Sequence, residues 1–284
     1  MTGIWYALAA AVLLGVSPLF MKSGIRKTKP KQAAIIWTLA MSVICFLFRE
    51  DGWSLKGLGT ETWLCVIFGG IALGAGLLAT FYAFRDGMLI HVYPLLYVEG
   101  VLSYVLHRIL NRSFPGWIVV AILVVILVGV ILMMIVPKGR NTKRWLLYSL
   151  LAMACYLLSD YLLVYRSSYA GSNGGKALVF LIATVFLLLT SVEKGMLQNF
   201  REIYLVDGIL LVIGSICLFF SWRMGSRAGG SYIELAILHA GLLLTYLGSV
   251  RLNREKPSAV TRVGLLLLMV GLWIFYGAIP IPTL

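Results

Sequence analysis

Hydrophobic residues run through this chain in long blocks, and polar residues gather in the short stretches between them. A bilayer's hydrocarbon core needs about 20 apolar residues per helix. Ten blocks qualify: 3–22, 32–48, 62–84, 88–107, 115–136, 145–165, 176–192, 203–222, 229–250 and 260–279. No Lys or Arg lies in a block interior, as expected where a charge would meet lipid. Gly or Pro marks many connections: Pro30, Gly52, Gly87, Pro115, Pro137, Gly171, Gly174 and Gly229. The pattern predicts an all-α integral membrane protein with ten transmembrane helices.

Two polar stretches nearly repeat each other. Leu110-Asn111-Arg112-Ser113-Phe114-Pro115 is matched by Leu252-Asn253-Arg254-Glu255-Lys256-Pro257. The offset is 142 residues, half of the 284-residue chain. It also aligns Ser17 with Ser159, Gly87 with Gly229, Tyr104 with Tyr246 and Gly129 with Gly271. Each half holds five predicted helices. Five is odd, so the second half enters from the opposite side, and two inverted five-helix repeats are expected over 1–140 and 141–284. Such repeats place substrate sites near the midplane, between the halves.

Composition agrees. The chain is 61% hydrophobic and 12% charged, against about a quarter charged in soluble domains. Mean hydropathy is +0.95. The net charge of +13 fits basic loops on anionic lipid. Nucleic acid is not an expected partner, because no basic helix or aromatic strand reader is present. Cys45, Cys65, Cys155 and Cys217 lie in apolar runs with no CxxC, so they read as buried hydrophobes.

Loop charge sets the expected orientation. The odd-numbered loops carry 16 Lys plus Arg and the even-numbered loops 8. The odd loops are therefore expected in the cytoplasm and both termini outside. Five basic residues (Lys22, Arg26, Lys27, Lys29, Lys31) follow the first block and none precedes it. That is the reverse of a cleaved signal peptide, so 3–22 is read as a retained helix.

Tyr246 to Gly271 carries a more specific pattern. Leu252, Glu255, Pro257, Ser258 and Gly264 mark a helix ending in an acidic turn, then Pro-Ser, then a glycine-bearing last helix. With the small polar start Gly15-Val16-Ser17-Pro18, ending at Lys22, the chain resembles the drug/metabolite transporter superfamily, in its EamA-like branch. The first half departs from the pattern, with Ser113 in the place of Glu255 and Gly116 in that of Ser258. The resemblance implies ten helices in two inverted halves, a cavity lined by the fourth and ninth helices, and export. It also implies a prokaryotic inner (plasma) membrane. The small multidrug relatives carry an acid in the first helix, and this chain has none between Met1 and Phe20.

Three acids fall inside predicted spans: Glu99, Asp160 and Glu234. Ionisable groups there are functional by default. A carboxyl without a cation partner in a low-dielectric site tends to hold its proton, which suits exchange with a cationic substrate. Positions 92, 99 and 103 share one helix face, and 234, 241 and 245 form the matching face across the offset. Glu99 and Glu234 are therefore expected on one stripe with Ser103 and Thr245 beside them. They should lie within about 6 Å in height. The competing reading is that each carboxyl is packing glue between helices. His239, which corresponds to Tyr97, is a candidate proton relay or a structural histidine. Tyr97, Tyr104 and Tyr156 are candidates for a cation-binding aromatic box. Gly69, Gly70, Gly74 and Gly76 thin the third helix for close packing or for a sliding surface.

The expected function is secondary active transport of a small cationic or zwitterionic solute, such as an amine or amino acid. It would work by alternating access and be proton-coupled. Expected partners are the solute, protons and membrane lipid, and a homodimer is compatible with the reading. No cofactor and no metal are expected, since no histidine pair has ligand spacing. A flippase for a lipid-linked group is one alternative. An integral-membrane enzyme acting on lipid is another, but the aspartates are isolated and no GxSG setting occurs.

Overall fold

A computed structural model describes residues 2–49, 59–112, 116–135, 144–166, 173–190, 204–228, 237 and 239–278. Among them there are helices and no strands. They are α1 (Thr2–Ser23), α2 (Pro30–Leu47), α3 (Thr60–Asp86), α4 (Leu89–Tyr97), α5 (Glu99–Leu110), α6 (Trp117–Met134) and α7 (Arg144–Asp160). A π-helical turn (Tyr161–Arg166) extends α7, and α8 (Asn173–Leu189), α9 (Leu205–Arg227), α10 (Gly241–Leu252) and α11 (Ala259–Ala278) follow. Lipid offers no hydrogen bonds, so an apolar run satisfies its own backbone by forming a helix.

Seven helices are long and apolar enough to cross a membrane: Thr2–Ser23, Pro30–Leu47, Thr60–Asp86, Leu89–Leu110, Trp117–Met134, Arg144–Val164 and Leu205–Arg227. Asn173–Leu189, Gly241–Leu252 and Ala259–Phe275 are shorter apolar helices. Trp117, Ile118, Leu127 and Ile131 of α6 face outward, as a lipid-facing surface requires. The chain is an integral membrane protein.

The predicted fourth helix is not continuous. Pro94 sits inside α4 and denies that helix one amide. Four residues later Val98 takes φ −70°, ψ −18°, and its N–H donates to Leu95 O at 3.2 Å instead of to Pro94. The turn tightens, and α5 restarts at Glu99. Ala240 does the same before α10, with φ −64°, ψ −15° and its N–H on Ile237 O at 3.0 Å. Val98 and Ala240 are 142 residues apart.

The main packing partners are α1 with α9, α3 with α7, α2 with α8 and α6 with α11; α1 also crosses α10. Small residues make these crossings close. A Cβ on Gly15 would lie 2.5 Å from Gly241 O, and one on Gly129 would lie 2.7 Å from Leu268 N. Buried hydroxyls then bond neighbouring backbones. Ser17 Oγ donates to Gly214 O and Ser159 Oγ to Gly69 O, both at 3.0 Å. Thr184 Oγ1 donates to Thr38 Oγ1 at 2.9 Å, joining α8 to α2. Trp37, Met41, Phe81, Phe84, Leu211 and Leu242 fill the core between these contacts.

Charged side chains gather the helix ends. Lys22, closing α1, donates from Nζ to Phe84 O and to Gly87 O at the end of α3, where the helix dipole favours a cation. The buried Asp207, in the first turn of α9, accepts from Lys27 N and Thr28 N at 2.9 Å each. Glu255, also buried, accepts from Leu89 N at 2.8 Å and Ile90 N at 3.1 Å. It thereby caps the start of α4 from 166 residues away.

Candidate functional site

The site is built where α3, α5 and α7 meet. Gly76 leaves α3 without a side chain at the crossing, and a Cβ there would fall 2.7 Å from Tyr156 Cε1. The Tyr156 ring occupies that space. Its hydroxyl reaches Thr80 Oγ1 at 2.8 Å, one turn along α3. Asp160 follows one turn after Tyr156, at the last α-helical residue of α7 before the π turn. A π turn widens the helix, and such turns recur at functional sites. Opposite stands Glu99, delivered by the restart of α5.

The side chains of Glu99 and Asp160 are neighbours that interact with each other. Ser103, one turn beyond Glu99 and buried, donates from Oγ to Asp160 Oδ2 at 3.5 Å. No ion pair among the described residues involves either carboxyl. Glu99 Oε1 is buried and has no hydrogen-bond partner. An unpaired buried acceptor is costly, so the site leaves a place for a proton or a donor group. Two facing carboxyls with a hydroxyl beside them can hold one proton between them or chelate an ammonium group.

The remaining predicted site residues lie elsewhere or are only partly drawn in. Tyr97 packs edge-on against His239, with ring centroids 5.5 Å apart at 86°. It also packs against Tyr93 at 5.6 Å. His239 is buried. The ring column of Tyr93, Tyr97 and His239 runs from α4 to the turn before α10. Thr245 donates to Gly15 O at 2.8 Å, across the α1–α10 crossing. Tyr104 packs edge-on against Phe275 of α11 at 5.4 Å. Glu234 lies outside the described residues, and so does its expected pairing with Glu99.

The 142-residue ruler explains why only one crossing carries acids. The position matching Glu99 is Gly241, whose Cβ would meet Ala11 O at 2.6 Å. The α1–α10 crossing is closed by backbone, whereas the α5–α7 crossing has room for carboxyls. Thr80 is invisible in the sequence because a lone Thr in an apolar run carries no signal. Asp160 is visible as an intramembrane acid, but its pairing with Glu99 depends on how α7 meets α5. Among the described residues no group of His, Cys, Asp and Glu could hold a metal ion.

Comparison with known proteins places the chain. A solved structure described as "Crystal structure of protein" is similar over 97% of this chain and 97% of its own, with a TM-score of 0.58 and 16% identity. At that identity the likeness is one of fold. No curated protein matches. The model of the EamA-like transporter family matches residues 1–135. Over those residues, just under half of the chain, it is similar to the EamA-like transporter family, which belongs to the drug/metabolite transporter superfamily.

Proposed function

We propose that the protein is a secondary transporter that exchanges protons for a small cationic or zwitterionic amine across the membrane. The observation that carries this reading is the half-buried Glu99–Asp160 pair at a helix restart, with the buried Glu99 Oε1 unpartnered. A substrate ammonium would take the place of the shared proton. Its charge would be met by the carboxyls, and its donors by Glu99 Oε1 and Asp160. A phosphorylated substrate would want Lys or Arg in place of these acids. The proposal keeps Glu234 as a third acid of the pathway.

Alternating access would come from rocking of two inverted halves, 1–140 and 141–284, each with five spans. Several matched features favour that division. Ser17 and Ser159, 142 apart, each bond the third helix of the opposite half. The contact of Gly129 with Leu268 is mirrored by that of Gly271 with Ile126. Tyr97 and His239, also 142 apart, touch each other. Residues related by a two-fold axis meet only on it, so this ring contact marks where the axis would run. The odd loops are assigned to the cytoplasm, both termini to the outside, and the direction to export.

The test is flux in proteoliposomes under an imposed pH gradient, with a panel of amines and amino acids. Glu99→Gln and Asp160→Asn are compared with the parent protein, with Glu234→Gln alongside. Gradient-driven flux is expected to vanish in the first two variants. Unchanged proton-driven flux in both would overturn the carboxyl-pair mechanism.

A further inference from the structure

Two buried carboxylates join the halves at one end of the molecule, and neither belongs to the site above. Asp207 is 5% exposed and Glu255 8%. Asp207 Oδ2 takes three donors from the first half: Lys27 N and Thr28 N at 2.9 Å and Thr28 Oγ1 at 3.1 Å. Glu255 spends both oxygens on the first two amides of α4. The bonds span 180 and 166 residues. Lys22 joins the end of α1 to the end of α3, so both attachment points, after α1 and after α3, lie at the same end. The surroundings there are sealed. Thr28, Leu89, Ile90 and Ser249 are all buried.

The opposite end is held differently. There Phe48 O accepts from Asn173 Nδ2 at 3.0 Å and from Arg223 Nη1 at 3.4 Å, both exposed contacts. Charge-assisted bonds shielded from water are stronger than exposed ones, and the charged contact of Arg223 is both long and exposed. Glu255 also grips α4, whose far end delivers Glu99 through the Val98 turn. A release at Glu255 would free the start of the helix that sets the carboxyl pair.

We propose that Glu255 and Asp207 are paired latches that hold this end closed, and that they let go when it opens. Each latch breaks by withdrawing a carboxylate from backbone amides, so opening needs no covalent change. This rests on the alternating-access reading above. Its test needs no substrate, so the two can fail separately.

Two single-cysteine reporters follow the two ends in the full-length protein in liposomes. Ser249→Cys, in a background lacking Cys45, Cys65, Cys155 and Cys217, reports the latched end. Native Cys65 alone, buried near the start of α3, reports the other end, about 30 Å away along the helix. Labelling by a membrane-impermeant maleimide is timed with and without Glu255→Gln or Asp207→Asn, both of which keep shape and remove charge. Each is expected to speed labelling at residue 249 about tenfold, the factor that corresponds to weakening one charged hydrogen bond to a neutral one. Labelling at Cys65 is expected to stay level or fall. Unchanged rates in both variants would overturn the latch, and so would equal acceleration at both reporters, which would mean a loosened fold.

Discussion

Arg112 and Arg254 hold the same left-handed backbone conformation, with φ of 53° and 54°. They are 142 residues apart and follow the ends of α5 and α10. Glycine is the usual occupant of such a helix exit, because a Cβ is crowded there. Two arginines in this conformation at the same ruler position indicate one local structure built twice.

The strain at these exits is open to test. Arg254→Gly removes the Cβ conflict and is expected to leave apparent thermal stability equal or raise it slightly. Arg254→Val adds β-branching in the left-handed region and is expected to cost about 1–2 kcal/mol. Thermal unfolding in detergent, followed by tryptophan fluorescence, reads both. A valine variant as stable as the glycine variant would contradict the strain argument.

The α1–α10 crossing makes a sharper prediction. Gly241→Ala would put a methyl group 2.6 Å from Ala11 O, a backbone atom that cannot step aside. It is expected to destabilise by about 1–3 kcal/mol through overpacking. A methyl group added at Gly116 or Gly59 would meet nothing within 4 Å, so Gly116→Ala and Gly59→Ala serve as controls without overpacking, each losing only the N-cap preference for Gly over Ala. Size-exclusion profiles after heating would rank the three.

Glu99 and Asp160 are expected to act as one unit. Glu99→Gln and Asp160→Asn should each abolish gradient-driven flux, and the double variant should be no worse than either single one. Residues in contact that share one task are non-additive in this way. Independent, multiplying losses in the three variants would show that the carboxyls work apart.

The ring contact at His239 separates packing from proton relay. His239→Ala is expected to cost about 2–4 kcal/mol, as large-to-small changes at buried positions do. His239→Phe keeps a ring against Tyr97 and is expected to preserve stability. Flux by the Phe variant then decides the role. Retained proton-driven flux assigns His239 to packing, and its loss in a stable variant assigns it to the proton path.

The serines of the repeat offer a symmetric check. Ser17→Ala and Ser159→Ala each remove one buried helix-to-helix hydrogen bond at 3.0 Å. Each should cost about 1 kcal/mol. Apparent melting temperatures that fall by similar amounts would fit equivalent crossings, and a large difference would not.

Membrane character and the positions of the long helices were legible because lipid enforces long apolar runs regardless of packing. The run predicted over 62–84 appears as Thr60–Asp86, and that over 115–136 as Trp117–Met134. The interruption at Val98 was not legible, although Pro94 stands in plain view, since Ala240 makes the same tight turn with Ala236 in the matching place. Proline weakens a helix locally, but the neighbouring contacts decide whether the chain bends, tightens or restarts. Glu255 was legible as part of a helix-end motif, whereas its bonding partners, Leu89 and Ile90, were not.

The sequence by itself determined the residue types available to lipid, to helix crossings and to ionisable chemistry, and its 142-residue ruler set out which positions should be alike. Those properties depend on short-range composition and periodicity, which the chain carries everywhere. Only the tertiary structure decided that Glu99 meets Asp160, that Gly241 closes the matching crossing, and that Asp207 and Glu255 bind backbone far along the chain. Each of these depends on which helices touch and at what depth, and that is set by the summed packing of the whole bundle rather than by any one segment.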